Sequence, residues 1–103
     1  MTALTDKSFA AFTSANKFAL IHFWAEWNRY DDELKATLEG GVPSQVPIGT
    51  LDTDPLEHHD LCRSHQVRNL PFLALYRDGV LVTTVTGLLA GKEFVRQLSK
   101  HVT

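Results

Sequence analysis

Apolar positions along the chain change period from two to nearly four and back, and this marks out its elements. The longest apolar block, Phe18 to Ala25, is broken only by His22 and reads as a largely buried strand. Before it, Lys7 to Ala15 has helical spacing, with Phe9, Ala10 and Phe12 on one face and Asp6 placed to cap it. After it, Leu34 and Leu38 predict a helix from about Arg29 to Leu38, stopped by Gly40-Gly41-Val42-Pro43-Ser44. Asn28 is its expected N-cap. Asp31, three residues on, is expected to answer the Asn28 N–H in a capping box, and Asp31, Asp32 and Glu33 put negative charge where the helix dipole favours it.

Further on, Val46 to Leu51 is a strand candidate whose Pro47 argues for a sheet edge. Pro55 to His65 reads as a helix turning Leu56, Leu61 and Cys62, and then Val67, inward. Phe72–Tyr76 and Val80–Val85 are strands joined by a turn at Arg77-Asp78-Gly79. A closing helix, about Gly91 to His101, carries Phe94, Val95, Leu98 and Val102 on its apolar face. With Leu4-Thr5-Asp6 as the end of a very short first strand, the order is β-α-β-α-β-α-β-β-α. That order describes an α/β sandwich with a mixed sheet.

Composition narrows the function. The chain has 103 residues, 44% of them hydrophobic, which is enough for one core and leaves no room for a second; we expect a single domain over 1–103. A formal net charge of -2 without a basic cluster argues against nucleic acid or an anionic membrane as partner. The start of the chain lacks a basic segment followed by a long apolar run, so a cytoplasmic protein is expected. One cysteine excludes an intramolecular disulfide and any multi-cysteine metal site.

Phe23-Trp24-Ala25-Glu26-Trp27 resembles the thioredoxin family, in which a Trp-Ala-x-Trp segment runs straight into Cys-x-x-Cys at the start of a helix. Leu4, Thr5, Asp6 and Phe9 match the family's Leu-Thr-Asp-x-x-Phe, and Leu70-Pro71, Gly79 and Gly87 fall where the family has its cis proline and two glycines. The resemblance runs over nearly the whole chain. It implies a thioredoxin fold: a central mixed sheet of four or five strands flanked by helices, with a short first strand. Here the two cysteine positions are Asn28 and Asp31. The buried acid that the family usually keeps in the central strand is replaced by His22, and no lysine lies between Lys35 and Lys92.

Dithiol exchange needs a thiolate at the helix start and a second thiol to resolve the mixed disulfide. Asn28 and Asp31 supply neither, so no catalytic residue is expected, and the segment reads as a capped helix start. His22 is taken as a hydrogen-bonded core histidine rather than a proton-transfer group. Cys62, the candidate thiol, is taken as a small buried hydrophobe; an exposed Cys62 would instead suggest a one-cysteine thiol–disulfide or redox-homeostasis protein. His58, Cys62 and His65 share a helix face, yet three ligands on one short helix do not close a tetrahedral site, so a surface histidine cluster and no metal or cofactor are expected.

What the resemblance leaves is a shallow groove formed by Trp27, Arg29, Tyr30, Leu70, Pro71, Phe72 and Leu88. Exposed aromatics beside polar residues suit a protein or peptide client. In the other arrangement Leu70 and Phe72 are core, and only Trp27 and Tyr30 remain outside. The expectation is a redox-inactive protein- or peptide-binding module, of a chaperone or assembly type, acting as a monomer or weak dimer.

Overall fold

The computed structural model describes residues 1–28, 30–42, 45–86 and 91–102, with residues 91–94 as backbone only. Its elements are β1 (Thr2–Ala3), α1 (Phe9–Ala15), β2 (Phe18–Trp24), α2 (Tyr30–Gly41), β3 (Ile48–Asp52), a 3-10 turn (Leu56–His58) running into α3 (His59–Ser64), β4 (Phe72–Arg77), β5 (Val80–Thr86) and α4 (Gly91–Ser99). The sheet order is β1-β3-β2-β4-β5; β2 pairs parallel to β3 and antiparallel to β4. This is a thioredoxin fold with a short first strand. No helix among the described residues is long and apolar enough to cross a membrane.

β2 is central because nearly every one of its side chains is apolar and both of its faces are covered. Ala19, Ile21 and Phe23 join Leu4, Phe9, Leu51, Cys62, Phe72, Ala74 and Tyr76 in one core layer. Phe18 and Leu20 join Leu34, Leu38, Val46, Leu73, Leu75, Val85 and Leu98 in the other. His22 shares the second face by strand alternation.

Several boundaries depart from the sequence reading for local reasons. Strand β3 is not an edge, since β1 pairs with its outer side through Thr2–Gly49 and Ala3–Thr50, and Leu4 N–H adds a bond to the Thr50 carbonyl at 2.8 Å. Pro47 stands just before the strand, and its carbonyl accepts the Leu20 N–H at 3.0 Å, so the missing proline N–H is not needed. Helix α2 continues through Gly40 and Gly41 rather than stopping before them. A Cβ on Gly41 would sit 3.1 Å from Val95 Cγ2, so the glycine admits α4 at close range.

Asp6 does not cap α1. Ser8 Oγ accepts the Thr5 N–H at 2.9 Å and Thr5 Oγ1 accepts the Lys7 N–H, a turn that delays the helix to Phe9 and leaves Ala10 exposed. Leu56 is 80% exposed, not inward. The 3-10 turn rotates the face, and His58 takes the inward position, with its Nδ1 2.7 Å from the Asp52 carbonyl. Asp78 and Gly79 carry φ of 52° and 82°, the left-handed pair of a tight hairpin, and Asp78 N–H ties the turn to the Lys17 carbonyl.

The first core layer also holds a polar pair. Tyr76 Oη lies 2.6 Å from His65 Nδ1, with Phe9 edge-on to both rings. Burial pushes the Tyr76 phenol well above its ordinary range and the His65 imidazole below its own. The phenol therefore keeps its proton near neutral pH.

Packing around β1 is testable at Gly49, where an added Cβ would meet Leu4 Cδ1 at 2.6 Å and Ile21 Cδ1 at 3.1 Å, both in the core. Gly49→Val is expected to cost about 1–3 kcal/mol in denaturant unfolding. A variant as stable as the parent would show that Leu4 and the two-residue first strand do not close this side of the core.

Candidate functional site

The site is built where β2 runs out of ladder partners. Trp24 closes the strand; its carbonyl accepts the Thr53 N–H at 2.8 Å and Thr53 Oγ1 at 3.0 Å, and Lys35 Nζ lies 3.7 Å over its ring. Ala25 is buried just past the last paired residue, so its N–H needs an acceptor from elsewhere. The chain then turns, with Asn28 N–H bonded to the Ala25 carbonyl. Asn28 Oδ1 accepts the Tyr30 N–H at 3.1 Å and its backbone carbonyl accepts the Asp31 N–H at 3.1 Å, so Asn28 does open the helix.

Asp31 does not close a capping box. Its carboxylate turns under the turn instead, with Oδ2 accepting the Ala25 N–H at 3.1 Å and Oδ1 3.0 Å from His22 Nε2. Asp31 is 1% exposed and His22 fully buried. A carboxylate oxygen accepts, so Nε2–H is the donor; Nδ1 is then left without a partner among the described residues. The sequence reading placed His22 in the core but missed its partner. Nine residues separate the two, and a carboxylate in a first helical turn reads as ordinary dipole chemistry. The signal was the joint departure: an imidazole where the resemblance puts an acid, and an acid where it puts a thiol.

Around this buried pair the predicted groove separates. Trp27 is 70% exposed, and its indole N–H donates to Asp54 Oδ1 at 3.0 Å; Tyr30 is also exposed. Phe72 belongs to the core, edge-on to Phe23 at 5.5 Å, and is not a groove residue. Leu70 packs half-buried against the same layer, and Pro71 is buried after a cis bond. Arg29, Leu88 and Gly87 lie outside the described residues, as does the Phe94 side chain. Asp54, which fixes the indole, was not singled out from the sequence, since nothing in Asp52-Thr53-Asp54-Pro55 points to a residue 27 positions earlier.

The other candidates turn away from the site. Cys62 is buried, and its thiol is pushed above the ordinary range by burial and then by the Asp52 carboxylate. The histidines do not form a surface cluster: His58 points to the Asp52 carbonyl, His59 to the Asp54 carbonyl and His65 to Tyr76. Among the described residues no three ligand-type side chains converge on a metal position.

The thioredoxin family model matches residues 1–100. The chain belongs to the thioredoxin family. It is 31% identical over 103 residues to a thioredoxin of Mycobacterium tuberculosis (strain ATCC 25618 / H37Rv), covering 96% of this chain and 87% of that one. Thioredoxin 2 of Chlorobaculum tepidum is 26% identical over 95% of this chain and 92% of its own length. Among solved structures, the oxidised thioredoxin of Plasmodium falciparum superposes with a TM-score of 0.87 at 17% identity, covering 100% of this chain and 99% of that one. A mutant thioredoxin from Halobacterium salinarum NRC-1 gives 0.86 at 23%, covering 99% and 90%. Within that thioredoxin frame, this chain's single cysteine stands on α3 and not at the start of α2.

Breaking a buried pair strands what is left of it. Asp31→Ala leaves both the Ala25 N–H and His22 Nε2–H unpartnered and is expected to cost about 3–5 kcal/mol. A double-mutant cycle with His22→Leu should show a coupling of about 1–3 kcal/mol in urea unfolding. Additive effects would show that the two side chains do not act as a pair.

Proposed function

We propose that this member of the thioredoxin family is redox-inactive and binds a protein or peptide client at the exposed start of α2, as a chaperone or assembly factor does. The observation that carries the reading is Asp31. Asp31 stands at the position where the resemblance puts the resolving thiol, and its carboxylate is committed to Ala25 and His22. Asn28 beside it is committed to opening the helix. What faces solvent is Trp27, a large apolar ring held in one orientation by Asp54, with Tyr30 close by in sequence. A pre-oriented aromatic loses little conformational entropy on binding, which is why such residues anchor interfaces. The alternative, a one-cysteine thiol–disulfide protein, needs an accessible thiol of lowered pKa; Cys62 is buried and shifted the other way.

The test pairs two assays on the full chain. Peptides selected from a displayed library are expected to quench or shift Trp27 fluorescence and to bind about thirtyfold more weakly to Trp27→Ala, the loss of about 2 kcal/mol typical of a central anchor. In the same preparation, insulin reduction by dithiothreitol should not be accelerated. Dose-dependent acceleration, or peptide binding indifferent to Trp27→Ala, would overturn the reading.

A further inference from the structure

The turn after α3 encloses an open depression of about 350 Å³ lined by His59, Cys62, Arg63, Gln66, Val67 and Arg68. It connects to the Trp27 surface through a shared residue, because His59 Nε2 is 3.1 Å from the Asp54 carbonyl while Trp27 donates to the Asp54 carboxylate. We propose that this depression is an oxyanion site, taking a carboxylate or phosphate group carried by the client that Trp27 holds. The proposal rests on the peptide-binding reading above and names the chemistry of that client.

Three observations carry it. First, among the described residues no carboxylate lines the depression, and its charged groups are two guanidiniums. Arg68 is exposed, and no hydrogen bond or ion pair holds it among the described residues. Among the described residues Arg63 pairs with Asp60, at 3.5 Å on a solvated rim, a screened contact that an incoming anion displaces at little cost. A guanidinium presents a planar fork of donors that matches carboxylate and phosphate oxygens.

Second, the backbone is fixed before any ligand arrives. Gln66 sits at φ 59°, Gln66 N–H bonds the Arg63 carbonyl at 3.1 Å and Val67 N–H the Cys62 carbonyl at 2.9 Å. This is a Schellman closure of α3, after which Arg68 lines the same depression as Arg63. It also bonds the Cys62 and Arg63 carbonyls at the end of the helix.

Third, the thiol in the floor carries no charge of its own: Cys62 is pushed up by burial and then by the Asp52 carboxylate, whose Oδ1 accepts the Asp54 N–H at 3.0 Å, and it stays protonated near neutral pH.

The experiment is an amide ¹H–¹⁵N titration of the full chain at constant ionic strength, with inorganic phosphate and acetate as probes. Saturable shifts confined to residues 59–68 are expected, weakened about tenfold in Arg68→Gln and also reduced in Arg63→Gln, while the surface control Lys7→Gln binds as the parent does. Shifts that do not saturate, or that are equal in Arg68→Gln and Lys7→Gln, overturn the site. A second arm compares a Trp27-selected peptide carrying glutamate or phosphoserine with its glutamine counterpart. Tighter binding of either anionic peptide supports the link to the client and tells which oxyanion is preferred. Phosphate binding with no preference among the peptides overturns the link and leaves the anion site. Peptide binding at Trp27 with residues 59–68 unmoved by every anion overturns the oxyanion site and leaves the peptide reading intact.

Discussion

The Ala25 N–H is the hinge of this molecule's chemistry. β2 must end at Trp24 for the chain to turn into α2, and the next amide is then buried with no strand to bond to. An unmet buried amide costs about 1–3 kcal/mol, a large part of a small domain's margin. Asp31 meets it, and the same carboxylate receives the His22 imidazole from below. One side chain thus closes the strand end, seats the start of the helix and gives a core histidine its partner. With that carboxylate drawn under the turn, Trp27 is left outside it, and its orientation is set by Asp54 instead.

This arrangement explains how a thioredoxin fold persists without the dithiol. The positions at which the family resemblance expects an acid in the strand and a thiol in the helix hold a base and an acid here, and the two meet at 3.0 Å. A buried ion-type pair adds little net stability over a well-packed apolar one, because desolvation offsets most of the attraction. Its contribution is specificity: neither partner can leave without stranding the other. The His65–Tyr76 pair in the opposite core layer is built differently. There a phenol and a ring nitrogen share a hydrogen bond between aromatic neighbours.

Much of the fold was legible because it depends on apolar periodicity, which each segment carries by itself. The run through Phe23, the hairpin at Asp78-Gly79 and the Leu34/Leu38 stripe all sit where the pattern puts them. What was not legible depended on distant partners. Pro47 looked like an edge signal until the two residues of β1 were seen to pair beyond it. Leu56 looked buried because helical spacing was extended through a 3-10 turn. Asp31 looked like a surface cap because dipole chemistry accounts for an acid in a first turn, and nothing local reveals an orphaned amide six residues earlier. The groove was half legible. Trp27 and Tyr30 are exposed, whereas Phe72 is claimed by the core through its ring contact with Phe23.

The central claim is that His22 and Asp31 form one buried hydrogen-bonded unit. A long-range ¹H–¹⁵N spectrum of the imidazoles tests it directly. The account predicts an Nε2-bound proton on His22 that exchanges with solvent as slowly as the core amides of β2, and that is lost or exposed in Asp31→Ala. A His22 ring proton that exchanges as fast as that of the exposed His59, or that persists unchanged when Asp31 is removed, would contradict it.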